Sequence, residues 1–378
     1  MASADFLIVG GGIAGLSAAS HLAGHGRTVV LEGEDALGYH SSGRSVTFSH
    51  YGIGNSAVRG LTSYSRAFFE APPEGFCASP LYRGQASLYV ASAEMMGQLE
   101  ALHAEIVRFT DKVEWLEADG VRALCPVLKT GPGAVLRGVV DTSGLRLEAD
   151  ALLQSYARVT RAKGGEIRTG QRIAAIERPG QDWLVRTQAG EEWSTPVLVN
   201  AAGAWADEVA RLAGVRPLGL EPMRRTIIVF DPPTNTEVGT WPFVHTAAGD
   251  FYMLPEAGRL LASPVDEVAS DPCDAVPEEY DVALAAAKVE EYTTIPVRRI
   301  AHSWAGLRSF VSDRVPTAGF APDAPGFFWL AGQGGYGLQT APAMAEIVEA
   351  LATGGDWPAE LAALEVTREQ IVPERLLG

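Results

Sequence analysis

At 378 residues the chain is longer than one compact core usually serves, so two closely packed domains are expected. A composition of 47% hydrophobic, 20% charged and 8% aromatic residues excludes collagen-like, low-complexity and wholly disordered classes. The formal net charge of -16 repels phosphate backbones and anionic lipid, so neither nucleic acid nor a membrane surface is an expected partner.

The N-terminus reads strand, glycine turn, helix, strand over Asp5–Gly10, Gly10–Gly15, Leu16–His25 and Thr28–Glu32. Its apolar start, Phe6–Ser20, lacks a basic leader and is broken by Gly10, Gly11, Gly12 and Gly15, so export is not expected. Residues 36–54, rich in Ser, Gly, Tyr and His, have the composition of a functional loop. Helical periodicity returns at Val58–Phe69 and Ala93–Val107, with a short strand at Ala86–Val90 between them. Val139–Gly144 ends a strand in a turn, and Ala149–Ala162 is an amphipathic helix. Short strands follow at Glu166–Arg168, Ile173–Glu177, Trp183–Thr187 and Val197–Asn200, then at Thr226–Phe230, Phe251–Leu254 and Leu260–Ser263. The chain closes with strand Phe327–Ala331, a glycine turn and helix Ala341–Leu351. No stretch reaches membrane-spanning length. Cys77, Cys125 and Cys273 are far apart, with no CxxC or Cys/His cluster. They suggest neither disulfides nor a metal site, and point to a reducing, cytoplasmic setting.

Gly10-Gly11-Gly12-Ile13-Ala14-Gly15 fits G-x-G-x-x-G between a strand and a helix. Gly10 permits the tight turn, Gly12 lets backbone approach a pyrophosphate, and Gly15 lets helix and strand pack closely. Glu32, at the end of the next strand, stands at the right distance to hold ribose hydroxyls. Ser42, Gly43, Arg44 and Ser45 follow in a polar loop suited either to track a pyrophosphate towards a flavin or simply to face water. A second small-residue segment, Ala202, Gly203 and Trp205, follows strand Val197–Asn200. The third segment is Gly334, Gly335, Tyr336, Gly337, Leu338, Gln339 and Thr340. Its helix start would stabilise the negative charge of reduced flavin, a need that nicotinamide enzymes do not have. Three such segments in this order favour FAD.

The stretches GYHSSGRS (38–45), SRAFFEAPPEGFC (65–77), VLVNAAGAW (197–205), AGVRPLGLEPMRR (213–225), HSWAGLRSF (302–310) and GFFWLAGQGGYGLQT (326–340) resemble the D-amino acid oxidase-like FAD enzymes. Within that family the chain also resembles the bacterial D-arginine dehydrogenases. The resemblance implies an α/β (α+β overall) fold, in which a Rossmann-type FAD-binding domain is joined to a β-rich substrate-binding domain. The first would comprise residues 1–80, 145–220 and 308–378, the second 81–144 and 221–307.

It further implies that Arg225 and Arg308 grip a substrate carboxylate, as planar guanidiniums do bidentately. Tyr252 would present its phenol over the flavin, though its own surroundings also suit a core strand tyrosine. Gly335 would offer its backbone near the substrate amine, and Gln339 would lie in the active site. His50 and Tyr51 lie in the loop after Ser45, which would reach over the site, although the match fails there: the D-arginine branch carries His, Thr and Tyr where this chain has Phe48, His50 and Ile53. Ser87 stands where the D-arginine branch carries a glutamate for the substrate guanidinium, so a neutral, apolar or acidic side chain is expected instead.

The implied reaction is oxidative deamination of a D-amino acid, with hydride passing from Cα to flavin N5 and the imino acid hydrolysing to a 2-oxo acid. FAD would be non-covalent, and oxygen, a quinone or a carrier would accept the electrons. A 2-hydroxy acid or secondary-amine oxidase, or a degenerate flavin-binding module, would share much of this pattern.

Overall fold

A computed structural model describes residues 2–377. A six-stranded sheet runs in the order Glu166–Arg168, Thr28–Leu31, Phe6–Val9, Val197–Asn200, Phe327–Ala331, Thr317–Phe320. Every neighbouring pair is parallel except the last, which forms an antiparallel edge. The central strands are continuously apolar because both faces are covered. Leu7 and Ile8 are fully buried, each stabilising by about 1.5–3 kcal/mol.

One face packs on helices Ile13–Leu22 and Gly337–Thr353 through Ala18, Leu22, Ala343 and Ile347. The other packs on a four-stranded sheet (Ala2–Ser3, Glu192–Thr195, Trp183–Thr187, Ile173–Glu177) and helix Ala206–Leu212. The strand order reverses beside Phe6–Val9: its next strand lies on one side and Val197–Asn200 on the other. Such a switch opens a crevice at the strands' carboxyl ends.

The second large sheet is mixed and nine-stranded. Its strands come from residues 87–141 and 221–310, and its core is built on Leu88, Ile228, Val244, Met253 and Leu260. Strand Glu221–Phe230 is flanked on one side by Arg259–Ser263 and on the other by Ile300–Phe310, which pairs along its whole length. Strand Ile300–Phe310 runs unbroken through the junction expected at residues 307 and 308. A small three-stranded sheet of Phe48–Ser49, Leu145–Leu147 and Tyr82–Gly84 lies apart from these.

Candidate active site

The first glycine turn leaves no room for side chains. Gly10 has φ 110°, and a Cβ there would stand 2.4 Å from the Ala201 carbonyl oxygen. A Cβ on Gly15 would stand 1.9 Å from the Gly10 carbonyl oxygen. Gly12 caps helix Ile13–Leu22 without a side chain, so backbone N–H groups face the crevice. Ser42 Oγ accepts the Ile13 N–H at 2.9 Å, drawing the polar loop over the helix start. Glu32 accepts the Gly11 N–H at 2.6 Å and the Glu34 N–H at 2.8 Å, which fixes its carboxylate at the rim.

Two cavities meet over this edge. The smaller, about 380 Å³, is lined by Gly10, Gly12, Glu32, Ala202, Gly203 and Trp205 among others. The larger, about 670 Å³, shares Gly12, Ser42 and Gly203 with it and extends to the mixed sheet. Together they form a trough from Glu32 to Tyr252 along the switch point. A dinucleotide fits this shape: polar ends at Glu32, glycine backbone in the middle, and a wide far end. The far end is walled by Gly334, Gly335, Tyr336, Gly337, Leu338 and Gln339, where helix Gly337–Thr353 points its positive end at the cavity. These residues therefore fit FAD, as does a cradle that a Cβ at Gly10 or Gly15 would obstruct.

The arginine pair follows from strand register. Arg225 lies opposite Gly306 and Arg308 opposite Met223, so the two arginines are diagonal neighbours on one face of the sheet. Both line the larger cavity with Tyr252. Burial, then the charge of Arg225, lowers the Arg308 pKa to about 10, so it stays cationic at neutral pH. Burial raises the Tyr252 phenol against the opposing pull of Arg225, Ser263 and Arg308, which keeps it protonated. The Arg308 guanidinium lies on Gly335, where a Cβ would stand 2.0 Å from Nη2.

His50 lines the cavity, its Nδ1 2.8 Å from the Tyr89 hydroxyl and its ring stacked on His245 at 4.9 Å. Burial, and then Arg59, lowers its pKa to about 3, so it is a neutral imidazole and a poor base at neutral pH. Gln339 faces the cavity while its Nε2 donates to Thr62 Oγ1 at 2.7 Å.

Several expected residues lie elsewhere. Ser87 is fully buried behind the wall: its Oγ and the Phe48 ring both meet Gly144, and only Phe48 reaches the cavity. Tyr51 stacks on Phe109 at 5.6 Å, outside the lining. Arg44 reaches the lining, but its guanidinium donates to the Ala275 and Ala305 carbonyls, to the Tyr39 carbonyl and to Asp274. It ties the polar loop to strand Ile300–Phe310 and has little left for a pyrophosphate. Gly15, Gly43 and Thr340 act behind the surface: Gly43 packs on the Gly38 carbonyl, and Thr340 Oγ1 donates to the Tyr336 carbonyl at 2.9 Å. Ser45 Oγ lines the cavity and accepts the Thr47 N–H at 3.1 Å.

The structure also brings in residues that sequence reading missed: Phe243, His245, Glu267 and Arg314. None lies in a recognisable motif, and only the paired register of distant strands and loops assembles them. Among the described residues, no group of three or more His, Cys, Asp and Glu side chains is placed to hold a metal ion. Among the described residues no helix is long and apolar enough to cross a membrane.

The fold is shared with L-proline dehydrogenase from P. horikoshii (TM-score 0.85, 19% identity, covering 100% of this chain and 98% of that one). Glycine oxidase from Geobacillus kaustophilus superposes with a TM-score of 0.82 at 20% identity, covering 97% and 99%. In sequence the chain is 27% identical to L-2-hydroxyglutarate dehydrogenase of Escherichia coli K12 over 56% of its own length and 50% of the relative's. It is 25% identical to hydrogen cyanide synthase subunit HcnC of Pseudomonas aeruginosa over 72% and 64%. The chain thus spans between half and two thirds of these relatives. The family described as FAD dependent oxidoreductase matches residues 5–351. With the trough and its glycine cradle, that match over nearly the whole chain decides the question: the chain belongs to the FAD dependent oxidoreductase (DAO) family, and its cofactor is FAD.

Proposed function

We propose that the protein oxidatively deaminates a D-amino acid with a neutral or apolar side chain, releasing a 2-oxo acid. The observation that carries this reading is the diagonal pair Arg225 and Arg308, side by side with Tyr252 over the Gly334–Gly337 turn. FAD supplies the two-electron acceptor for the hydride of the substrate Cα–H. The arginine pair holds the carboxylate and so orients that bond, which accounts for much of the rate gain expected from positioning.

The substrate must bind or become an uncharged amine before it reacts. His50, with a pKa of about 3, is too weakly basic to keep that proton at neutral pH, so the proton passes to bulk solvent as the amine binds in its neutral form. Phe48, Phe243, Phe251 and Val265 wall the rest of the cavity, and His50 and His245 are held neutral by burial. The two carboxylates of the lining are already engaged, Glu267 by Arg225, Arg308 and Arg314 and Asp313 by Arg375, so a cationic side chain would find no free counter-charge, which supports a neutral substrate over D-arginine. The D-configuration rests on the sequence resemblance. Non-covalent FAD rests on the resemblance, since residues 333–340 hold neither the cysteine nor the histidine that family members with covalent flavin use there.

The match to L-2-hydroxyglutarate dehydrogenase favours a second reading, oxidation of a 2-hydroxy acid held by the same arginines. An anaerobic panel of D- and L-amino acids, N-methylglycine and 2-hydroxy acids separates the two, read as loss of flavin absorbance. Rapid bleaching by neutral D-amino acids with little from D-arginine is expected. Bleaching by hydroxy acids alone would replace the deamination reading.

A further inference from the structure

Glu267 lies in the loop between strands Arg259–Ser263 and Val268–Ala269, two residues after Val265, whose φ of 54° turns the chain sharply. Its carboxylate reaches into the arginine cluster. Oε1 accepts from Arg308 Nη1 at 3.1 Å and from Arg225 Nη2 at 3.4 Å, while Oε2 accepts from Arg314 Nη2 at 2.7 Å. Side-chain exposure rises from 11% at Arg225 and 15% at Arg308 to 30% at Glu267 and 51% at Arg314. The carboxylate thus sits between the buried pair and the mouth of the cavity.

Two consequences follow. First, Glu267 takes the outer edge of each buried guanidinium, and the Asp266 carbonyl takes Arg225 Nε at 2.8 Å. Arg225 Nη1 makes no hydrogen bond among the described residues and is left for a ligand, while Arg308 Nε and Nη2, also without a hydrogen bond, lie against the Gly335 backbone at the cavity wall. Second, the charges nearly balance. Three guanidiniums face Glu267 and Asp266, whose Oδ1 is 3.9 Å from Arg225 Nε, leaving one positive charge. Burial alone would raise the Glu267 pKa, but Arg314, Arg308 and Arg225 hold it below the usual carboxylate range, so it remains an anion.

We propose that Glu267 is a positioning and specificity-determining residue: it fixes the inner edges of Arg225 and Arg308 for one carboxylate and sets the site's charge so that a second carboxylate is rejected. This rests on the reading of Arg225 and Arg308 as the substrate anchor. One carboxylate neutralises the remaining charge. A second would stand in a weakly solvated cavity with Glu267 as a like-charged neighbour, and Arg44, the next cation, is tied to Asp274 and backbone carbonyls.

The test titrates the FAD-loaded protein with butyrate and with succinate at constant ionic strength, following the perturbation of flavin absorbance. These probes have equal carbon counts and differ in one charge. The wild type should bind butyrate at least about tenfold more tightly than succinate, and Glu267→Gln should reduce that ratio by about tenfold or more. Glu267→Asp, which keeps the charge, should restore most of the preference, as a merely structural role would not require. Succinate binding as tightly as butyrate to the wild type, or an unchanged ratio in Glu267→Gln, would overturn the proposal. Arg225→Ala tests the anchor separately. If it leaves butyrate affinity intact, or if the wild type binds neither anion, the anchor reading fails and takes this one with it.

Discussion

At the scale of single residues, Gly335 bears directly on the arginine pair. A methyl group there would meet Arg308 Nη2 at 2.0 Å and Cζ at 2.4 Å, so Gly335→Ala must push the guanidinium off the turn. We expect that variant to keep its FAD yet lose about tenfold or more in kcat/KM, mostly through KM, because the displaced group binds substrate. A near-normal KM would show that Arg308 does not contact the substrate carboxylate. Arg225→Ala should cost about 2–5 kcal/mol in kcat/KM, since the surviving charges are left without their partner.

His50 makes a pH prediction. Its pKa is about 3 when folded and the ordinary 6.5 when unfolded, so the unfolded chain binds the extra proton between those values. Stability is therefore full above about pH 6.5 and lost as pH falls towards 3, with His245, also held low by burial, acting in the same direction. Denaturant titrations from pH 7 to pH 4 should show this decline, and His50→Gln should flatten it. An equal slope in the variant would assign the acid sensitivity elsewhere. The arginine pair and the glycines were legible in the sequence because they sit in recognisable stretches, whereas Tyr252 lies outside those stretches and its strand alone reads equally as core. Glu267 and His245 were not, since each matters only through partners distant in the chain: Glu267 meets Arg225 and Arg308, and His245 stacks on His50.

At the scale of elements, the strand–turn–helix at the N-terminus has the tightest steric demand. A Cβ on Gly15 would stand 1.9 Å from the Gly10 carbonyl oxygen, so Gly15→Val should separate helix Ile13–Leu22 from its strand. The expected outcome is protein purified with little FAD and a lower melting temperature. Full FAD content would show that the turn adjusts without loss. This element was readable because its glycine spacing and apolar runs are local signals. The same holds for helix Ala149–Ala162 and strands Glu166–Arg168, Ile173–Glu177, Trp183–Thr187, Val197–Asn200 and Phe327–Ala331, which form over the residues expected.

Other elements carried weaker local signals. Helix Glu279–Tyr292 interleaves Ala and Glu with few large apolar residues, and only Asp281, Ala285 and Val289 are buried. Strand Ile300–Phe310 lies at a sheet edge, half exposed, and its length is set by pairing with Glu221–Phe230 rather than by its own alternation. Ser87 was misplaced for a related reason. Its strand was expected, but the Phe48 ring from a separate small sheet covers the wall in front of it.

At the scale of the whole molecule, the trough belongs to neither large sheet alone. Gly12, Ala201 and Leu330 come from the parallel sheet and its turns, while Arg225, Phe243 and Tyr252 come from the mixed sheet. The polar loop joins the two: Ser41 Oγ donates to the Leu307 carbonyl at 2.6 Å, and Trp304 Nε1 donates to the Arg44 carbonyl at 2.9 Å. A cofactor lying along the trough touches both bodies, so its binding energy opposes their separation as well as the unfolding of either. At about 100 times its dissociation constant FAD should add about 2.7 kcal/mol, provided the unfolded chain does not bind it. Calorimetry of cofactor-depleted protein with and without added FAD should then show a single transition that moves upward by several degrees as a unit. Two transitions with only one responding would mean that FAD grips the parallel sheet alone. The arginine pair would in that case have to find its register over the flavin without help from the cofactor, which a trough walled by both sheets does not require.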